Sequence, residues 1–163
     1  MIDAIIFDFG DVFINLDKQA TMDGLKNLGI SQWNEDLDQL NIQYEIGAIS
    51  GDDFLNGIQK HTDNASIEDI REAWNSILAD FPLYRLEFLQ MLSSKYRLFL
   101  LSNTDAIHID TFEQKSGTSF YSDFYQCFEK VYYSYEMGMR KPDEKIFTTI
   151  LNKHELSPKR TLF

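Results

Sequence analysis

Three short polar clusters in this chain carry residue types suited to one kind of chemistry. Asp8 and Asp11 follow the run Ala4-Ile5-Ile6-Phe7, Ser102-Asn103-Thr104 follows Arg97-Leu98-Phe99-Leu100-Leu101, and Arg140-Lys141-Pro142 lies further along. A carboxylate so placed can act as a nucleophile or as a metal ligand. A hydroxyl with backbone N–H groups beside it can hold phosphate oxygens, and a lysine can offset charge that builds during transfer. Converging, the three suit an anionic substrate. Separately each has a plainer use, as helix cap, turn or exposed pre-proline linker.

A parallel sheet would bring them together. Ala4–Phe7 and Arg97–Leu101 are continuously apolar, as strands buried on both faces are, and Lys130–Ser134 is a third candidate. Thr161-Leu162-Phe163 looks like the opening of a fourth. In an open parallel sheet, ligands bind beyond the carboxyl ends of the strands.

Between the first two strands the pattern is helical. Asp17 predicts the cap of a helix running to Leu28, with Gly29 as its stop. Ser31 opens another, with Trp33, Leu37, Leu40 and Tyr44 at helical spacing, and Ser50 with Asp53 and Ser66 with Asp69 resemble capping boxes. The helix after Ser66 carries Ile70, Trp74, Ile77 and Leu78 on one face. Pro82 sits at the start of the next, whose stripe includes Leu86 and Leu89. Two later helices are expected over Asp105–Lys115 and Asp143–His154. The order predicts an α/β fold with a Rossmann-like parallel sheet core and helices on both faces. An inserted small helical-bundle cap, 17–81, divides that core into 1–16 and 82–163.

Composition narrows the function. The 163 residues include 15 Lys+Arg against 26 Asp+Glu, a net charge of −11, and 44% are apolar. Such a chain can bury a real core, and its acidity disfavours a nucleic-acid backbone or an anionic membrane as partner. The single cysteine, Cys127, excludes an intramolecular disulfide and any multi-cysteine metal site, and is expected to be a buried structural thiol. His61, His108 and His154 lack metal-ligand spacing and are read as surface or capping residues. With no visible signal peptide, the expectation is a soluble cytoplasmic protein.

Three strings together resemble the first three motifs of the haloacid dehalogenase (HAD) superfamily. They are Ile5-Ile6-Phe7-Asp8-Phe9-Gly10-Asp11-Val12, Leu100-Leu101-Ser102-Asn103-Thr104, and Gly138-Met139-Arg140-Lys141-Pro142-Asp143-Glu144-Lys145-Ile146-Phe147. The third is the most specific, and the likeness is to the phosphatase branch with a helical cap inserted after the first motif. The resemblance implies an aspartyl-phosphate formed on Asp8. It implies phosphoryl binding by Ser102 with backbone N–H groups near Asn103, and charge stabilisation by Lys141. It also implies Mg²⁺ held by the Asp8 carboxylate and the Gly10 carbonyl, and a small phosphorylated metabolite as substrate.

Two departures from that pattern bear on activity. The position two after the nucleophile, which in the phosphatases usually carries the general acid, is Gly10; Asp11 is the substitute at hand. The acidic residues of a fourth motif, which complete the metal site, do not follow Thr161-Leu162-Phe163, so the core reads as truncated at its fourth strand, with the first strand near an unpaired edge. Two other readings are therefore carried forward. One is displacement of halide from a 2-haloacid; the other is a non-catalytic or truncated binding protein of the same fold.

Overall fold

The computed structural model describes residues 1–163. Its sheet has four parallel strands, β1 (Ala4–Phe7), β2 (Arg97–Ser102), β3 (Lys130–Tyr133) and β4 (Thr161–Leu162), in the order β3-β2-β1-β4. Ala4 aligns with Arg97 on one side and with Thr161 on the other, so β1 is an interior strand over Ala4 and Ile5. This corrects the expectation of an unpaired first strand. Only its C-terminal half, Ile6 and Phe7, pairs on the β2 side alone.

Side chains alternate along each strand and both faces are covered, which is why the strands read as unbroken apolar runs. Ile5, Leu98 and Leu100 point into a large aromatic cluster with Phe9, Phe13, Phe112, Phe124 and Phe128. Ala4, Ile6, Phe99, Leu101 and Tyr132 pack on the opposite face against Ile146 and Ile150. These two come from α9 (Glu144–Lys153), capped by Asp143, whose side chain accepts from the Lys145 N–H.

Five helices separate β1 from β2. They are α1 (Lys18–Asn27), α2 (Glu35–Glu45), α3 (Gly51–Gln59), α4 (Ile67–Asn75) and α5 (Leu83–Ser93). Asp17 caps α1, and Ser66 with Asp69 makes a full capping box on α4, as the residue types predicted. Ser50 caps α3 through the Asp53 N–H. At α2 the expectation shifts: Asn34 is the cap, not Ser31, and Trp33 precedes the helix. Likewise Ile77 and Leu78 fall beyond α4. Leu78 pairs with Leu16 in a short antiparallel bridge, where Asn15 N–H donates to the Asp80 carbonyl at 2.8 Å and Asp17 N–H to Ile77 at 2.8 Å. The chain thus leaves and re-enters the sheet side by side. Helices α1–α4 bury their own apolar cluster, which includes Leu25, Leu37, Phe54, Ile58, Ile70 and Trp74.

After β2 come α6 (Ala106–Ser116) and α7 (Thr118–Gln126), and after β3 the short α8 (Ser134–Met137). Neither α7 nor α8 was expected from the sequence. The result is the predicted α/β arrangement, a parallel sheet with helices on both faces. No helix is long and apolar enough to cross a membrane.

Candidate active site

A cavity of about 400 Å³ opens at the carboxyl ends of β1 and β2. Asp8, Gly10, Asp11, Ser102, Asn103 and Lys141 all line it, so the three polar clusters do converge. Asp8 and Ser102 sit where their strands end, one residue after β1 and as the last residue of β2, whereas Lys141 comes from the loop between α8 and α9.

Lys141 is the fixed point of the group. Its ammonium lies 2.9 Å from Asp8 Oδ2 and donates to the Leu101 carbonyl at 2.9 Å. The lysine is only 13% exposed against 44% for Asp8, so the carboxylate faces the cavity while the cation is held behind it. Asn103 holds the lysine's backbone, donating through Nδ2 to the Lys141 carbonyl at 2.9 Å and accepting the Lys141 N–H at 2.8 Å. Asp8 Oδ1 accepts the Phe9 N–H at 2.7 Å, which orients the carboxylate further. Ser102 is buried, and its only bond, to the Asn103 carbonyl at 3.4 Å, is too long to hold the hydroxyl firmly. That hydroxyl is available to a ligand in the cavity.

Asp11 is positioned differently. It has a left-handed backbone (φ 58°), accepts the Leu16 N–H at 3.0 Å and lies 3.5 Å from the Lys18 ammonium. Its carboxylate therefore closes the turn from β1 toward α1. A methyl group at Gly10 would come within 2.6 Å of Leu16 Cδ1, so a leucine side chain fills the space where a residue-10 side chain would project.

Several pocket residues escaped sequence reasoning. Asn41 and Glu45, one turn apart on α2, and Trp74 from α4 form the wall opposite the sheet. The only sequence signal was a polar i, i+4 pair beside the apolar stripe of α2. Glu45 reaches across to Arg140, with Oε2 and Nε 2.9 Å apart. Burial pushes the Glu45 carboxyl above its ordinary range, and Arg140 only partly opposes this. Asp105, expected as the first residue of a helix, instead caps α6 through the His108 N–H, and it is buried and accepts the indole N–H of Trp74 at 3.1 Å.

His108 is more than the capping or surface residue expected. Its ring stacks on Trp74 with centroids 5.0 Å apart, Nδ1 lies 3.0 Å from Asp105 Oδ2, and Nε2 lies 3.0 Å from the Trp74 carbonyl. Both nitrogens face pure acceptors, an arrangement that only the doubly protonated ring satisfies. Burial works against that charge, but the Asp105 carboxylate and the two hydrogen bonds outweigh it and raise the pKa. Cys127 is buried as expected, and burial raises its thiol pKa.

The donor chemistry of the pocket suits one kind of metal. No three His, Cys, Asp or Glu side chains are placed to hold a metal ion among themselves. Asp8 and the Gly10 carbonyl supply hard oxygens, and Mg²⁺ is usually held by one or two carboxylates, with water and substrate phosphate completing the shell. The lining acids Asp8, Asp11, Glu45 and Asp105 each have a cation beside them, Lys141, Lys18, Arg140 and His108, so no lining cation is left over for a phosphate. A divalent cation would add the positive charge that a phosphate needs.

The chain resembles known proteins along its whole length. No family model matches it. A curated D-ribitol-5-phosphate phosphatase of Bacteroides thetaiotaomicron is 26% identical over 169 residues, covering 100% of this chain and 82% of that protein. A wild-type HAD family enzyme of the same organism, solved in complex with magnesium and inorganic phosphate, is 36% identical. It superposes with a TM-score of 0.86 over 99% of this chain and 83% of that one. A structure from Porphyromonas gingivalis described as a predicted HAD-like family hydrolase is 29% identical, with a TM-score of 0.83 over 100% and 81% of the two chains. The motif residues, the parallel sheet and a relative above 30% identity along four-fifths of its length agree: the chain belongs to the haloacid dehalogenase-like (HAD) family.

Proposed function

We propose that this protein is a Mg²⁺-dependent phosphatase of a small phosphorylated metabolite, working through an aspartyl-phosphate on Asp8. The observation that carries the reading is the ammonium of Lys141 held 2.9 Å from Asp8 Oδ2 at the mouth of a cavity that Ser102 also lines. The phosphatase and the phosphate-bound enzyme among its relatives support it. Halide displacement is not favoured, because the haloacid dehalogenases among the similar solved structures are 15–16% identical and share the fold alone.

In this mechanism Asp8 attacks phosphorus, an Asp8 O–P bond forms, and the bond from phosphorus to the alcohol oxygen breaks, that oxygen taking a proton from solvent water to leave as the alcohol. Water then hydrolyses the acyl phosphate and regenerates Asp8. The Ser102 hydroxyl and neighbouring backbone N–H groups hold the phosphoryl oxygens. Lys141 neutralises charge shared between carboxylate and phosphoryl group. Asp8 and the Gly10 carbonyl would hold Mg²⁺, which supplies Lewis-acid stabilisation of the phosphoryl oxygens. Asp11, tied to the Leu16 N–H and Lys18, is assigned to holding the turn under the nucleophile rather than to protonating the leaving group. Helices α1–α4, within 17–81, act as a cap over a core of 1–16 and 82–163, with the paired segments 15–17 and 77–80 as the connection between them. A cytoplasmic setting fits, since a phosphorylated metabolite is too polar to cross a bilayer unaided.

The test is phosphate release from a panel of metabolite monoesters with and without Mg²⁺. The expected result is turnover that is lost on chelation and in Asp8→Asn; full turnover by Asp8→Asn would refute the mechanism.

A further inference from the structure

The C-terminal end of α2 is fastened to the core at three places. The Tyr44 hydroxyl accepts the Ile107 N–H of α6 at 3.2 Å, and Glu45 Oε2 lies 2.9 Å from Arg140 Nε. Gly47 abuts α8 so closely that a methyl group there would collide with the Tyr135 carbonyl. Its left-handed backbone (φ 69°) is a second reason for glycine.

Two of the core segments touched in this way also carry groups of the reaction. Ile107 lies in the first turn of α6, just after Ser102-Asn103-Thr104, and Arg140 directly precedes Lys141. Adjacent side chains of one loop thus reach opposite partners, Arg140 to Glu45 on α2 and Lys141 to Asp8, each at 2.9 Å. Asn103 joins the two segments, because it holds the Lys141 backbone from both sides. Any shift of α2 on the core is therefore felt by the loop at Arg140.

The ion pair is suited to carrying position rather than stability. Burial pushes the Glu45 carboxyl above its ordinary range by more than Arg140 offsets, so the pair is largely desolvated. Such a pair adds little net stability over an apolar contact, yet removing one partner strands the other's charge and destabilises the fold. Neither Glu45 Oε2 nor Arg140 Nε makes a directed hydrogen bond, so their contact is set by where α2 and the loop sit.

We infer that Arg140 is a positioning residue: paired with Glu45, it couples the seating of α2 on the core to the placement of Lys141 against Asp8. This rests on the phosphatase reading and adds to it the pair through which the helical segment acts on the lysine.

The test compares Glu45→Gln, Arg140→Gln and the double variant, each assayed on p-nitrophenyl phosphate with Mg²⁺ and each melted. Each single variant should lose about tenfold in kcat with KM within about twofold, a fraction of the roughly 10²-fold that a misplacement of about 1 Å can cost. Each should also melt earlier, because it strands a charge. The double variant should regain most of that melting temperature, since no charge is stranded, while its kcat stays at the single-variant level. A double variant whose kcat recovers with its melting temperature would reduce the pair to structural support and overturn the role. Full kcat in a folded Arg140→Gln protein, or a loss carried by KM alone, would overturn it too. If a single variant fails to fold, the double variant decides by the same criterion. Wild-type protein that hydrolyses no phosphate ester with Mg²⁺ would instead overturn the phosphatase reading, and the positioning role with it.

Discussion

At the scale of single residues, the site is a division of labour between a group that reacts and groups that hold it. Asp8 faces the cavity, Lys141 backs it, and Asn103 clamps the lysine's backbone through two bonds of 2.8 and 2.9 Å. Asp11 belongs with the holding groups. Asp11→Asn, which can still accept the Leu16 N–H, should slow alkyl and aryl phosphate esters by the same modest factor. A general acid would show a different signature, losing about 10²–10⁴-fold on the alkyl ester and far less on the aryl one. Steady-state rates on the two esters decide between these outcomes. Asp8, Ser102 and Lys141 were legible in the sequence because each follows an apolar run or sits in a specific string, and strand ends converge in a parallel sheet. Asn41, Glu45 and the extra partners of His108 were not. Their use depends on which face of α2 and α4 turns toward the sheet, and no local pattern encodes that.

At the scale of elements, Trp74, Asp105 and His108 join α4 to α6. The imidazolium donates to Asp105 on its own helix and to the Trp74 carbonyl at the end of α4, where a cation also meets the negative end of the helix. Because the folded-state pKa of His108 is raised, its contribution to stability is complete below the unfolded value of about 6.5 and is lost as pH rises through the folded value. Thermal midpoints should therefore fall as pH rises through that window in the native protein, and this component should be missing in His108→Gln. An identical pH slope in both proteins would contradict the assignment. The same scale explains which elements the sequence hid. Helix α7 has no side-chain cap and is rich in aromatic residues of middling helix propensity, so packing sustains it, with Phe124 fully buried. Helix α2 starts at Asn34 because that side chain accepts the Leu37 N–H, an outcome that Ser31 could equally have suggested from its type alone.

At the scale of the whole molecule, the two sheet faces and the helical segment each close around a separate apolar cluster, and the pocket lies where the segment meets the strand ends. Phe124 stands in the largest cluster, with Phe9, Phe13, Phe81, Phe112 and Phe128 rings within 6.1 Å of its own. Phe124→Ala should cost about 3–5 kcal/mol in urea unfolding, the usual toll of a large core cavity. A loss under about 1 kcal/mol would mean the cluster collapses around the gap. The most direct test of the central claim is acid-quenched mass spectrometry during turnover of a phosphate ester with Mg²⁺. The expected result is a single phosphoryl adduct on the peptide that contains Asp8, absent from the Asp8→Asn protein. Turnover that proceeds with no adduct at Asp8, or with the adduct on another residue, would contradict it.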